Sequence, residues 1–169
     1  DQEVQVCAGE IHGMAQRGGI VESALLLGGY MSPKIAPGEA DVLLGFEPLE
    51  TLRALPYLRP GGIVVSSTEP TMPVGVSTGR ETYPGLEEVM DRSRECAGRS
   101  WFVPGKSLAS RAGTVQSANM VLVGAFCAAE VEPFSLKALH QAVKNHLPAK
   151  IVDINLQASQ LGFDAAREQ

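Results

Sequence analysis

The chain has little of what redox and metal centres are built from. Only three cysteines occur in 169 residues, Cys7, Cys96 and Cys127, far apart and without CxxC spacing. That pattern excludes reading an iron–sulfur cluster or a structural zinc site, and no metal ligand set is expected. Unpaired, widely spaced thiols suit a reducing compartment. No apolar run reaches the length needed to span a bilayer and no signal peptide is recognisable, so no membrane partner is expected and the cytoplasm is the expected location. An excess of basic residues is also lacking. The net charge is −5 and the pI about 5.2, which argues against nucleic acid as a partner.

What is present describes a globular chain. Hydrophobic residues make up 44% and the mean hydropathy is +0.04, outside the disordered range. The length suits one domain over residues 1–169, and 18 glycines with 11 prolines imply many tight turns. Strand and helix signals alternate. Val4–Cys7 reads as a strand, and Ile20–Leu27 as a second, apolar and uninterrupted at 24–27, closed by Gly28-Gly29. Asp41–Phe46 is the clearest strand, continuous enough to be covered on both faces. Pro48 suits the first turn of a helix carrying Leu49, Leu52 and Leu55, which Pro60-Gly61-Gly62 stops before the strand Ile63–Val65. This succession is a βαβ unit, with a right-handed crossover between parallel strands.

Residues 68–82, rich in Pro, Thr, Ser and Gly, are expected to wrap a sheet edge, with Val74 and Val76 in a short strand. A helix from Leu86 to about Ala97, a strand at Trp101–Val103 and one or two helical turns over Lys106–Ala112 follow. The helix within Val115–Ala129 is apolar nearly all round, hence buried in a larger assembly or packed on two sides. Ser135 caps a helix bearing Leu136, Leu139, Val143 and Leu147. A last helix holds Ile151, Ile154, Ala158 and Leu161 before Gly162. The expected fold class is α/β, a three-layer α/β/α domain with a largely parallel (mixed) sheet and a helical C-terminal third.

The densest chemistry lies in Glu10–Gly19, EIHGMAQRGG. Gly13, Gly18 and Gly19 permit positive φ and close backbone approach. Gln16 and Arg17 add amide and guanidinium donors, the latter a planar fork for phosphate or carboxylate. A hairpin connection with a solvated arginine accounts for the same residues. His12 beside a glycine turn reads as a structural hydrogen-bonder or a ligand contact. Glu47 follows a strand's carboxyl end, where ligands lie in open α/β sheets, yet it also sits where a carboxylate simply stabilises a helix. Asn119 is expected to bond a neighbouring loop from inside its apolar helix, Lys106 to lie on the surface, and Cys7 and Cys127 to fill the core.

EIHGMAQRGG, followed by GEADVLLGFEPLE at Gly38–Glu50, resembles the gamma-type domain of 2-oxoacid:acceptor oxidoreductases. Within that family it is most similar to the smaller subunits of indolepyruvate:ferredoxin oxidoreductases. Ala118-Asn119-Met120-Val121, Asn155-Leu156-Gln157-Ala158 and Leu161-Gly162 agree, in order, over nearly the whole chain. Family members usually begin with a strand and a GxGGQG turn. Nothing here matches that unit, so it is expected to be missing and the chain to start at what would be the second strand.

The resemblance implies a division of labour. Thiamine diphosphate and iron–sulfur clusters lie on partner subunits, ferredoxin receives the electrons indirectly, and coenzyme A takes the acyl group from a 2-oxoacid such as indolepyruvate or pyruvate. This chain is implied to hold no cofactor alone, to carry no catalytic residue, and to work in an oligomeric complex. It is implied to shape the coenzyme A side of the site through His12, Gly13, Gln16, Arg17, Gly18 and Gly19. Two alternatives stay open. Leu58–Val65 (LRPGGIVV) resembles a later sheet motif of S-adenosylmethionine-dependent methyltransferases, and the chain could be a pure interaction subunit without ligand contact, using the apolar 115–129 helix as its partner surface.

Overall fold

The computed structural model describes residues 3–12, 21–71 and 83–169, residues 11 and 12 by their backbone alone. The chain opens with an antiparallel ribbon of β1 (Val6–His12) and β2 (Val21–Leu27). Its register sets Val6 opposite Leu27, Ala8 opposite Leu25, Glu10 opposite Ser23 and His12 opposite Val21. β1 starts later than expected and runs on through Glu10-Ile11-His12, because pairing with β2 makes a strand of residues that the neighbouring glycines mark as loop. β2 is a strand, as its apolar run implies, but an exposed one. With only two strands, one ribbon face is left uncovered, and Val21 and Leu25 are 61% and 54% exposed. The other face meets the loop after β2, where a Cβ on Gly9 would come within 2.5 Å of Pro33. Cys7, expected in the core, is consequently half-buried on the ribbon, whereas Cys127 is buried.

The body is built from two parallel crossovers. β3 (Ala40–Gly45), α1 (Pro48–Ala54) with a 3-10 turn at Leu55–Tyr57, β4 (Leu58–Ser67), α2 (Leu86–Cys96) and β5 (Arg99–Val103) form a three-stranded parallel sheet in the order β3-β4-β5. The antiparallel pair is a separate sheet. Pro60-Gly61-Gly62, expected to stop the helix ahead of a strand at Ile63, lies inside β4. The register jumps from Ala40 opposite Leu58 to Val42 opposite Ile63, and Gly61 takes φ +73°. The glycines thus serve a bulge, spanned by Arg59 Nε donating to Asp41 Oδ1 at 2.6 Å.

Alternation along β4 distributes its side chains between two cores. Val64 joins Leu55 and Leu58, with Leu43 and Leu52 packed against them, on the face of α1 and α2. Ile63 and Val65 face the other layer, made of α3 (Gly105–Ala112), α4 (Ala118–Cys127), α5 (Leu136–His146) and α6 (Ala149–Arg167), with α5 lying against α6. The expected three-layer arrangement is therefore present.

The apolar helix α4 is packed on two sides within the chain itself, by the sheet and by α6. Val121, Leu122, Ala125 and Phe126 are all buried, so no large apolar patch remains on it for a partner. A Cβ on Gly124 would lie 1.9 Å from the Ser159 carbonyl oxygen, and one on Gly162 1.9 Å from that of Val121. Gly162 therefore sits mid-helix as a backbone contact; the expectation that it ends the last helix is corrected. Asn119 is also placed differently. It is exposed at the start of α4, its Oδ1 accepting from the Met120 N–H at 2.9 Å.

Candidate functional site

Of the residues singled out in the glycine segment, His12 is described by its backbone, which closes β1 opposite Val21. Gly13, Gln16, Arg17, Gly18 and Gly19 lie outside the described residues, as do Val74 and Val76. His12 and Val21, the described residues that flank 13–20, face each other at one end of the ribbon.

A second polar constellation gathers at the carboxyl ends of the parallel strands, where open α/β sheets hold ligands. Glu47, 8% exposed, caps α1 through Oε2, which accepts the Glu50 N–H at 3.0 Å. Its Oε1 accepts the Thr71 N–H at 3.3 Å and the Tyr83 hydroxyl. The helix-stabilising reading of Glu47 holds, and the same carboxylate also clasps two distant points of the chain. Burial first, then the hydrogen bond to Glu47 and its charge, push the Tyr83 phenol well above its ordinary value, so it stays a donor.

Behind Glu47, Thr51 Oγ1 donates to the Glu47 carbonyl at 2.9 Å and lies 2.7 Å from Ser66 Oγ. Ser67 Oγ accepts the Glu69 N–H at 3.2 Å. Glu69 spans to α3, accepting from Lys106 N at 2.6 Å, Ser107 N at 2.9 Å and Ser107 Oγ at 2.5 Å. Burial raises the Glu69 pKa, but the Ser107 and Lys106 bonds and the Lys106 charge outweigh it and hold the carboxyl below its usual range. Lys106 is tied rather than free on the surface: Nζ donates to the Pro70 carbonyl at 2.6 Å and to Thr71 Oγ1 at 2.8 Å. Sequence reasoning missed Thr51, Ser66 and Glu69. The one signal for them is a Ser-Ser pair ending an apolar strand, and bonded groups within the constellation are up to 38 residues apart. These groups satisfy one another, so the constellation sets the rim's shape and offers no activated nucleophile.

An open groove of about 480 Å³ is lined by Cys127, Phe134, Leu136 and Phe163, with Glu130 and Glu132 on its rim. Burial raises the Cys127 thiol to about 11, so it is not a thiolate nucleophile at neutral pH. Among the described residues no three His, Cys, Asp or Glu side chains gather as a metal site, and no helix is long and apolar enough to cross a membrane.

The fold has solved counterparts. The gamma subunit of a keto/oxoacid ferredoxin oxidoreductase from Geobacter sulfurreducens superimposes with a TM-score of 0.66 at 20% identity, covering 98% of this chain and 82% of that one. Pyruvate oxidoreductase subunit PORC from Thermotoga maritima gives 0.59 at 18%, covering 96% and 80%. The architecture is thus that of an oxoacid oxidoreductase gamma subunit. In sequence, the pyruvate ferredoxin/flavodoxin oxidoreductase profile matches residues 1–165. Indolepyruvate oxidoreductase subunit IorB of Methanothermobacter thermautotrophicus is 37% identical over 99% of this chain and 85% of its own length. The subunit of the same name from Pyrococcus horikoshii is 39% identical over 97% and 82%. The chain belongs to the pyruvate ferredoxin/flavodoxin oxidoreductase family, among its small, gamma-type members. Neither the methyltransferase-like alternative nor the pure interaction subunit finds support in these relationships. The LRPGGIVV run is accounted for as the bulged strand β4.

Proposed function

We propose that this single gamma-type domain serves a 2-oxoacid:ferredoxin oxidoreductase by completing the coenzyme A side of a site whose thiamine diphosphate and iron–sulfur clusters lie on a partner subunit. Indolepyruvate is the substrate favoured by the names of its relatives. The observation that carries the reading is the ribbon register. It sets His12 opposite Val21, the described residues on either side of the stretch whose sequence holds Gln16 and Arg17. Coenzyme A bears a pyrophosphate and a ribose phosphate, and a net charge of −5 repels such a ligand at long range. Local donors must offset that field, and a guanidinium among glycines suits the task.

The test is Arg17→Ala in the assembled enzyme. Loss of a charge-assisted hydrogen bond costs roughly 1.5–3 kcal/mol, so the apparent KM for coenzyme A should rise about ten- to hundredfold. Oxoacid decarboxylation, measured separately, should be retained. Equal loss of both would make Arg17 a residue of folding or assembly, and unchanged acyl transfer would remove it from the site.

A further inference from the structure

Among the described residues the parallel sheet ends at β5, in the order β3-β4-β5. Its sequence, RSWFV, is rich in strand-forming residues and holds no proline. A terminal strand of this kind invites a further one, because alternate residues turn their main-chain N–H and C=O away from the sheet. Val103 points its carbonyl inward, accepting the Thr68 N–H at 3.0 Å beyond β4. Alternation therefore turns Ser100 and Phe102 outward. The Phe102 groups are not bare. Gln169, just past the end of α6, presents its side-chain amide to them: the Phe102 N–H donates to Oε1 at 3.1 Å and Nε2 donates to the Phe102 carbonyl at 2.8 Å. Nε2 also donates to the Ala165 carbonyl at 3.3 Å, which ties the amide to its own helix.

Donating to and accepting from the same residue is how a residue of an antiparallel strand bonds its opposite number. The strand best matched to this edge is a second copy of β5. In an antiparallel pairing about a two-fold axis at Trp101, Phe102 meets Ser100 of the other copy, so that all the outward groups pair. Arg99 then falls opposite Val103 and not opposite itself. Arg99 and Arg94, which lie over the Trp101 and Phe102 rings, are engaged within the chain, by the Ala129 carbonyl and by Asp91. We propose that Gln169 is an edge guard: its carboxamide takes the place of a neighbouring strand on β5 and prevents two copies of this chain from joining their sheets there.

The test uses the full chain. Gln169→Leu keeps the length and bulk of the side chain and removes both bonds to Phe102. Hydrogen exchange at the Phe102 amide, read by mass spectrometry in a solution dilute enough to hold monomers, should quicken about tenfold. The self-association constant from sedimentation equilibrium should rise at least about tenfold over wild type. Adding Ser100→Pro removes an outward N–H on which the pairing depends, at an edge position that tolerates proline, and should return association to the wild-type level. If thermal unfolding shows that the proline variant has not folded, Ser100→Lys replaces it as a charged block on the edge. Wild-type exchange at Phe102 in the Gln169→Leu chain overturns the proposal. Faster exchange with wild-type association also overturns it, leaving Gln169 as a contact that only docks α6. So does self-association that a folded double variant retains, since the new contact would then lie away from β5.

Discussion

Gly124→Ala is the most demanding test of the packing, because the obstacle to the new methyl group is backbone. The added Cβ would sit 1.9 Å from the Ser159 carbonyl oxygen and 2.6 Å from its carbon. A carbon–oxygen contact relaxes only near roughly 3.3 Å, so α4 and α6 must part by about 1.4 Å. No rotamer change can supply that movement, since the blocking atoms belong to a helix. Separation opens the cluster around Val121, Ala125 and Ala158, each fully buried. Overpacking of this kind typically costs about 1–3 kcal/mol, and the rigid backbone argues for the upper end. Alanine's higher helix propensity returns roughly 1 kcal/mol. The expected net loss is about 2 kcal/mol, or a fall of about 4–8 °C in Tm for a domain of this size. Urea denaturation with an unchanged m-value is the assay. Gly162→Ala should behave alike, and the double variant should lose less than the sum, because one helix shift relieves both clashes. A Gly124→Ala protein as stable as wild type would refute the close approach of α4 to α6.

Other consequences concern the rim. The carboxyl of Glu69 is held below its ordinary value, so its contribution to stability is present above that value and lost as pH falls through the lower folded one. Wild-type stability measured from pH 6 to pH 3 should include this loss. Glu69→Gln should lack it and, at neutral pH, lose about 1 kcal/mol of helix-capping stability. Thr51→Val keeps the side-chain volume but removes the bonds to Ser66 and the Glu47 carbonyl. It should cost about 1–3 kcal/mol in chemical denaturation, and an unchanged midpoint would mean that the buried hydroxyls pair otherwise.

Local signals carried much of this protein. The βαβ unit from Asp41 to Val65 was legible because each part has its own period: an unbroken apolar strand, a proline-started helix with leucines at threes, and a second apolar run. The helix at 86–96, the strand ending at Val103 and the Ser135 cap were legible for the same reason. The order of two specific motifs also indicated the family. Two of the features that sequence alone misassigned were decided by a neighbour distant in the chain. Gly162 reads as a helix stop until the Val121 carbonyl is seen to occupy the space of its absent side chain. Pro60-Gly61-Gly62 reads as a break until the register with β3 shows a bulge. Burial was the property least legible of all. The run from Ala24 to Leu27 and the helix from Ala118 to Cys127 look equally apolar, yet β2 lies on an open ribbon while α4 is enclosed by the sheet and α6. Hydrophobicity states that a segment gains by being covered. Which segments this chain covers, and which it leaves open, was settled by how the elements pack.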